Sequence, residues 1–339
     1  MTLEITRIDP FDSDAVDAWW DAYATAERAD RGPDVPVWSR EETRSEMQQE
    51  SRVIERRPFL LRDGGTIVGA AGLALPLKDN THVAHVVVHV PPAHRRRGIG
   101  SAALAFLEAE AADAGRTTAQ GDTSWRYELG SDGAGAPGRE FARRHGYALA
   151  LGDVQNRLAL PFDPAVLDRL DADAAEAISG YTIRSWVGPV PDDVVEGWAI
   201  LDASIDTEAP SGELDIEPAK PDVESIRENE ALLVRQNRLS IGTIALTPAG
   251  EAAAYTQLVV SGDDGNAYQW GTLVRAADRG HRLGTAVKTA NLRMLLREAS
   301  HARAVYTYNA ESNIHMLAVN TLLGFVPTER MGELQKRLA

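Results

Sequence analysis

"RRRGIG" (residues 95–100) stands between "HVAHVVVHV" (82–90), β-branched and nearly continuous, and "SAALAFLEAEAADAG" (101–115), rich in helix formers and closed by glycine. The first flank reads as a buried strand and the second as a helix, so the six residues form a strand-to-helix turn. A helix start carries unpaired backbone N–H groups and a partial positive charge, which makes it an anion site. Gly98 and Gly100 let the backbone approach a phosphate with no Cβ in the way, and Arg95, Arg96 and Arg97 add positive charge. The pattern reads as a pyrophosphate cradle. It is not a Walker loop, because no GK[ST] follows, nor a dinucleotide fingerprint, because the G-x-G-x-x-G spacing is missing. An ordinary capped turn with a solvated basic face is the competing reading; the preceding "VPP" and a second copy downstream weigh against it.

Upstream, "LEITRI" (3–8) alternates like a strand, "DPFDSDAVDAWWDAYATAERAD" (9–30) carries capping residues ahead of an apolar stripe, and "SREETRSEMQQES" (39–51) opens on a Ser39/Glu42 capping box. "RPFLLRDGGTIVGAAGLALPL" (57–77) is a hairpin around "DGG". Downstream come a strand at 116–124, a glycine-rich loop at 130–138, and a helix ending at Gly146 before a closing strand. The second half repeats this α/β order, with "RGHRLG" (279–284) in the place of "RRRGIG". Superposing Gly100 on Gly284 gives an offset of 184 residues, and superposing Gly146-Tyr147 on Gly324-Phe325 gives 178. Nearly equal offsets indicate a duplication, too long in period for a solenoid. The expected organisation is one domain at 1–161, an acidic helical linker at 162–180 and a second domain at 181–339.

With 339 residues the chain is long enough for two cores. No apolar run approaches the roughly 18 residues that span a membrane, and "MTLEITRIDPFDSD" has neither the basic start nor the apolar core of a signal peptide. Zero cysteines remove disulfides, thiolate metal sites and a cysteine nucleophile together. A cytoplasmic protein is expected. The net charge of −15 repels nucleic acid and anionic membranes and mildly favours cationic small molecules or protein partners, although solubility alone also accounts for it.

Val90, Pro92, Arg95, Gly98 and Gly100 spell V-x-P-x-x-R-x-x-G-x-G, which resembles the acyl-CoA-binding motif of GNAT-superfamily N-acyltransferases. The resemblance covers nearly the whole chain as two tandem GNAT-like domains, an arrangement similar to that of mycothiol synthase. It implies an α/β (α+β) fold in which each domain is a mixed, mostly antiparallel central sheet flanked by helices. It also implies acetyl-CoA, or another acyl-CoA, with its pyrophosphate on the amides of Arg95, Arg96, Arg97, Gly98, Ile99, Gly100 and Ser101 and its pantetheine arm along Val88–Val90. In the second copy Val274 and the loop Arg279, Gly280, His281, Arg282, Leu283, Gly284 and Thr285 take those places, with Arg282 where the first glycine belongs. Family members often carry, before the final Gly-aromatic pair, an asparagine that contacts the cofactor arm and a tyrosine that protonates the departing thiolate. Asn313 and Asn320 hold those positions in the second domain, Gly135 and Ala142 in the first. The second domain is therefore the expected seat of chemistry.

Acyl transfer to an amine needs a group to take the amine proton and donors at the thioester oxygen. Glu311 and Tyr308 stand beside the cofactor helix as candidate base and acid; the competing readings make Glu311 a first-turn helix acid and Tyr308 a core aromatic. His85 is a candidate base in the first domain, against the reading of a satisfied core or surface histidine. His82, His85 and His89 lie at strand spacing with no Cys or acid cluster beside them, so no metal is expected. Trp19, Trp20 and Trp38 fall where acceptor-site helices lie, and core packing explains them equally. The implied activity is direct acyl transfer from acyl-CoA to a primary amine of a small molecule, in a ternary complex without a covalent acyl-enzyme. The alternatives are a non-catalytic acyl-CoA-binding sensor or scaffold, and an interaction module with no ligand. Two halves that form a pseudo-dimer make a monomer or weak homodimer the expected state.

Overall fold

Capping chemistry and period-two alternation set the first elements of the chain, whose computed structural model describes residues 3–29, 31–32 and 35–338. After strand Leu3–Arg7 (β1), Asp12 caps helix Ser13–Arg28 (α1) by accepting from the Asp14 and Ala15 amides at 3.1 Å. The Ser39/Glu42 capping box opens Arg40–Met47 (α2): the Glu42 amide donates to Ser39 Oγ at 3.2 Å, and the Ser39 amide donates to Glu42 Oε2 at 2.7 Å. Ile54–Asp63 (β2) and Thr66–Pro76 (β3) meet through Gly64 and Gly65, whose φ of 57° and 82° suit a tight hairpin turn. Val83–His89 (β4), Ile99–Asp113 (α3), Thr118–Arg126 (β5), Pro137–Arg144 (α4) and Ala148–Ala159 (β6) follow.

The second half contains Ala165–Ala174 (α5), Thr182–Val187 (β7), Val195–Ala203 (α6), Ile205–Glu208 (α7), Val223–Arg235 (α8) and the strands Arg238–Leu246 (β8), Ala252–Ser261 (β9) and Asn266–Val274 (β10). Leu283–Glu298 (α9), Ala304–Ala310 (β11), Ile314–Leu323 (α10) and Val326–Arg337 (β12) complete it. The chain divides into two compact units. Unit 1 holds Met1–Gly152, Gly212–Ile216 and Arg330–Ala339; unit 2 holds Asp153–Ser211 and Glu217–Glu329.

In unit 1 the strands run β1-β2-β3-β4-β5, antiparallel until the parallel β4–β5 pair. Residues of the C-terminal segment close it beyond β5, with the Leu338 amide on Thr117 O at 2.8 Å. One face packs Val86, Val88 and Val90 against Leu104 and Leu107 of α3, and the other packs Leu60 and Ala70 against Val16 and Trp19 of α1. In unit 2 the order β6-β11-β10-β9-β8-β7 is likewise antiparallel except for β10–β11. Each unit is thus a mixed, mostly antiparallel sheet flanked by helices. Within the segment 162–180, read from sequence as a polar linker, α5 carries a buried i, i+3, i+7 stripe of Leu167, Leu170 and Ala174 that joins the core of unit 2.

Candidate active site

Each site begins where a central strand ends. In unit 1 the chain leaves β4 through a 3-10 turn, Pro92–His94, and reaches Gly98, whose left-handed φ of 81° starts α3. No side chain caps that helix, and its first backbone bond runs from the Ala102 amide to Gly98 O at 3.0 Å. The amides of Ile99, Gly100 and Ser101 therefore have no helical acceptor. A Cβ on Gly98 would meet nothing within 4 Å, so the space before these amides is open, whereas one on Gly100 would stand 3.2 Å from the Phe141 ring. Gly98 serves the cradle and Gly100 admits α4.

The three arginines divide their work. Arg95 Nε donates to Val90 O at 2.9 Å and clasps the loop, and Arg97 pairs with Asp63 at 2.7 Å. Arg96 is exposed, holds a left-handed φ of 62° and makes no side-chain hydrogen bond or ion pair among the described residues, so it is the arginine left for an anion. His145 Nε2 stands 2.9 Å from Ser101 Oγ at the same helix start, a polar group that sequence reasoning missed.

The strands splay beside the cradle. β4 stays paired with β3 as far as Ala70↔His89, but its parallel ladder with β5 ends at His85↔Gln120. Among the described residues the β5-facing edge past that point has no ladder partner, and an extended chain can pair there. Unit 2 repeats the device: β10 stays paired with β9 to Val274↔Ala254, while its ladder with β11 ends at Gln269↔Thr307. Arg282 caps α9 with a left-handed φ of 54° and no side-chain bond, and Arg279 Nε donates to Val274 O at 3.3 Å, as Arg95 does to Val90. His281 Nδ1 lies 3.1 Å from Asp278 O. Gly284, with nothing nearer its Cβ position than Val274 at 3.6 Å, and Thr285 lie in the first turn. A slot for an extended arm that ends at an uncapped helix start fits a pantetheine followed by a pyrophosphate.

Residues 16–122 match the model of the Acetyltransferase (GNAT) family. A tandem GNAT protein from the clavulanic acid biosynthesis pathway, determined without AcCoA, is 28% identical with a TM-score of 0.79, over 100% of this chain and 99% of that one. Over its whole length the chain is thus similar to a tandem GNAT protein. GCN5-related N-acetyltransferases from Sphaerobacter thermophilus (16% identical, TM-score 0.68, over 99% and 96%) and Kribbella flavida (15%, 0.52, over 99% and 72%) share its fold. Comparison with the curated proteins finds no match.

Beside the two cradles, the units carry different ionisable groups. In unit 1, Trp19, Tyr23, Glu27 and Arg31 recur every four residues along and just past α1. His89 Nδ1 lies 3.2 Å from Glu27 Oε1, its ring 5.0 Å from Tyr23, and Arg31 pairs with Glu27 at 2.5 Å. Desolvation works to raise the Glu27 carboxyl, but the His89 hydrogen bond and the charges of His89 and Arg31 hold it below the usual range. Asp122 of β5 keeps accessible surface, yet desolvation and the Glu27 charge raise its pKa. Desolvation lowers His85. Trp19 is a core residue, its Nε1 on Ala71 O at 2.9 Å, and Trp20 Nε1 donates to Trp38 O at 2.9 Å. Among the described residues no cluster suits a metal.

Unit 2 has a cavity of about 280 Å³ beside the open edge of β10, lined by Trp198 and Asp202 of α6, Ile226 and Glu230 of α8, and Trp270 and Gly271 of β10. Tyr255 OH donates to Asp202 Oδ1 at 2.9 Å; Asp202 keeps accessible surface, yet desolvation raises its carboxyl, and that bond partly offsets the rise. The residues expected to carry chemistry stand elsewhere. Tyr308 OH accepts from Gln155 Nε2 at 2.6 Å within the β11–β6 pair. Glu311 lies ahead of α10, half-buried. Asn313 caps α10, its Oδ1 accepting from the Met316 amide at 3.2 Å. Asn320 is 1% exposed, accepts from Lys288 Nζ at 2.8 Å and donates to Asn309 Oδ1 at 2.6 Å, so it faces the interior rather than a cofactor. Lys288 is 0% exposed without a carboxylate partner, and burial pulls it down to about 7.

Proposed function

We propose that the chain is a cytoplasmic acyl-CoA-dependent N-acyltransferase that moves an acetyl or other acyl group to a primary amine of a small molecule, by direct transfer in a ternary complex. The observation that carries this reading is the open strand edge ending at an uncapped helix start, present in both units. Residues 86–90 and 270–274 would pair with the arm of the cofactor, and the amides at 99–101 and 283–285 with its phosphates. Acyl-CoA supplies the activated thioester. The chain supplies a proton acceptor, and the desolvated carboxyl of Asp202 beside the unit 2 edge suits that task better than Tyr308, whose hydroxyl is held by Gln155. The lack of cysteine supports direct transfer. The acceptor is a small molecule rather than nucleic acid, and the protein works as a monomer or weak homodimer. Among the described residues no helix is long and apolar enough to cross a membrane.

Ala142 and Asn320, both buried, stand where family members often carry the tyrosine acid, which favours a second reading in which one unit binds acyl-CoA without turning it over. Calorimetric titration of acetyl-CoA into wild type, Gly98→Asp and Gly284→Glu tests both readings. Asp tolerates the left-handed backbone and meets open space at 98, and position 284 is helical and uncrowded, so each variant folds with a carboxylate in its cradle. The proposal expects each variant to lose one binding event; two silent variants, or no binding by wild type, would overturn it.

A further inference from the structure

The cavity of unit 2 has a charge balance that selects its occupant. Of its two carboxylates, Glu230 is engaged: it accepts from the Val190 amide at 2.7 Å and from Arg227 at 2.7 Å. Asp202 has Tyr255 on one oxygen and no basic partner among the described residues. Among the described residues no lysine, arginine or histidine lines the space, so a ligand carboxylate or phosphate would find no cation among them. The rest of the wall carries no formal charge: it joins the amides of Asn229 and Gln257 and the aliphatic Val190 and Ile226 to Trp198 and Trp270, whose rings attract a cation or a flat body. At about 280 Å³ the cavity sits at the small end of ligand sites, which run from roughly 300 Å³ upward.

We infer that this cavity is the acceptor site for a small monocationic amine with a flat apolar body and no acidic group, its ammonium held by Asp202 between Trp198 and Trp270. The inference rests on the acyltransferase reading and names its acceptor class. Trp270 and Gly271 belong to the β10 edge that the β11 ladder leaves open, so the amine and the acyl end of the cofactor share one wall. Asp202 takes one ammonium proton; the freed nitrogen lone pair forms the new bond to the acyl carbon, the carbon–sulfur bond breaks, and the second nitrogen proton passes to the departing thiolate, so that CoA leaves as its thiol. A polyamine would bring more positive charge than one unpaired carboxylate balances, and an amino acid would bury an unpaired carboxylate.

The test is titration of 2-phenylethylamine, 2-phenylethanol and phenylalanine into the intact protein, with tryptophan fluorescence and calorimetry as readouts, alongside Asp202→Asn and Gly284→Glu. The amine is expected to bind wild type and Gly284→Glu alike and to weaken by about tenfold or more in Asp202→Asn, because a charge-assisted bond is lost. The alcohol and phenylalanine are expected to bind at least as weakly as the amine binds that variant. Equal binding of phenylalanine, an unaffected Asp202→Asn, or no binding of the amine to wild type overturns the inference. Thiol release from acetyl-CoA separates the two claims. Amine binding without thiol release would defeat the acyltransferase reading and leave the cavity assignment standing. Amine-dependent release that Asp202→Asn leaves intact would defeat the cavity assignment alone.

Discussion

Lys288 gives the structure its sharpest energetic test. Its ammonium is 0% exposed in the middle of α9, with Asn320 Oδ1 at 2.8 Å and the Phe325 ring centroid 5.6 Å away, and burial lowers it from 10.5 to about 7. At about 1.4 kcal/mol per pH unit, keeping the proton inside costs the folded state roughly 4–5 kcal/mol. The folded value lies below the unfolded one, so below pH 7 both states bind the proton and the whole cost is present. Between pH 7 and about 10 the unfolded state binds more protons, and stability climbs with pH. From pH 6 to 9 this group alone should add about 2–3 kcal/mol. Lys288→Met removes the titration and orphans the Asn320 oxygen, a pH-independent loss of about 1–3 kcal/mol. The variant should therefore be more stable than wild type by about 2–3 kcal/mol at pH 6 and close to it at pH 9. Urea denaturation of both proteins at unit pH steps measures the difference, in which other titrating groups cancel. A difference that stays flat between pH 6 and 9 refutes the buried, unpaired ammonium.

Two further substitutions probe the other displaced pKa values. Glu27→Gln breaks the His89 and Arg31 contacts. Because the folded carboxyl is depressed, the resulting loss of about 1–2 kcal/mol should be complete above the unfolded value near 4.3 and should fade as pH falls through the folded value, read by denaturant midpoints from pH 2 to 7. Asp153 has the opposite sign: burial raises it to about 6, so stability present below about pH 4 is lost as pH rises through 6. Asp153→Asn should then stabilise the protein by up to about 3 kcal/mol at pH 7 and by nothing at pH 3, and an equal effect at both pH values would sink the assignment.

The cradles were legible because they are local. A β-branched run, a glycine turn and a helix-forming run announce them within twenty-odd residues, and the repeat announces the second. The carboxylate clusters beside them were not, because they meet through space: Glu27 with His89, and Asp202 with Tyr255. A signal nonetheless existed. Glu27 continues the Trp19–Tyr23 spacing, Asp202 lies four residues after Trp198, and Lys288 lies four before Leu292, each a charged residue on an apolar stripe. A charge in such a position must be neutralised, paired or used. The expectations for Tyr308 and Glu311 came from nearness in sequence to the cofactor helix, which does not determine where a hydroxyl finds its partner. The passage of residues 330–339 into unit 1 depends on strand pairings that no local pattern encodes.

The two units also show why duplicated sites drift unevenly. A cradle built from backbone amides asks only that one residue adopt left-handed φ, which Gly98 does freely at 81° and Arg282 does at 54° for a cost of about 1 kcal/mol. That requirement survives substitution. The carboxylate clusters beside the cradles are built from side chains, and each replacement there changes charge as well as shape. Unit 1 compensates its glutamate with a histidine and an arginine, while unit 2 leaves an aspartate with no basic partner among the described residues, in a cavity it shares with two indoles and two amides. A compensated carboxylate has no need of a cationic ligand, whereas an uncompensated one is stabilised by one. The stronger demand for a cation therefore lies in unit 2.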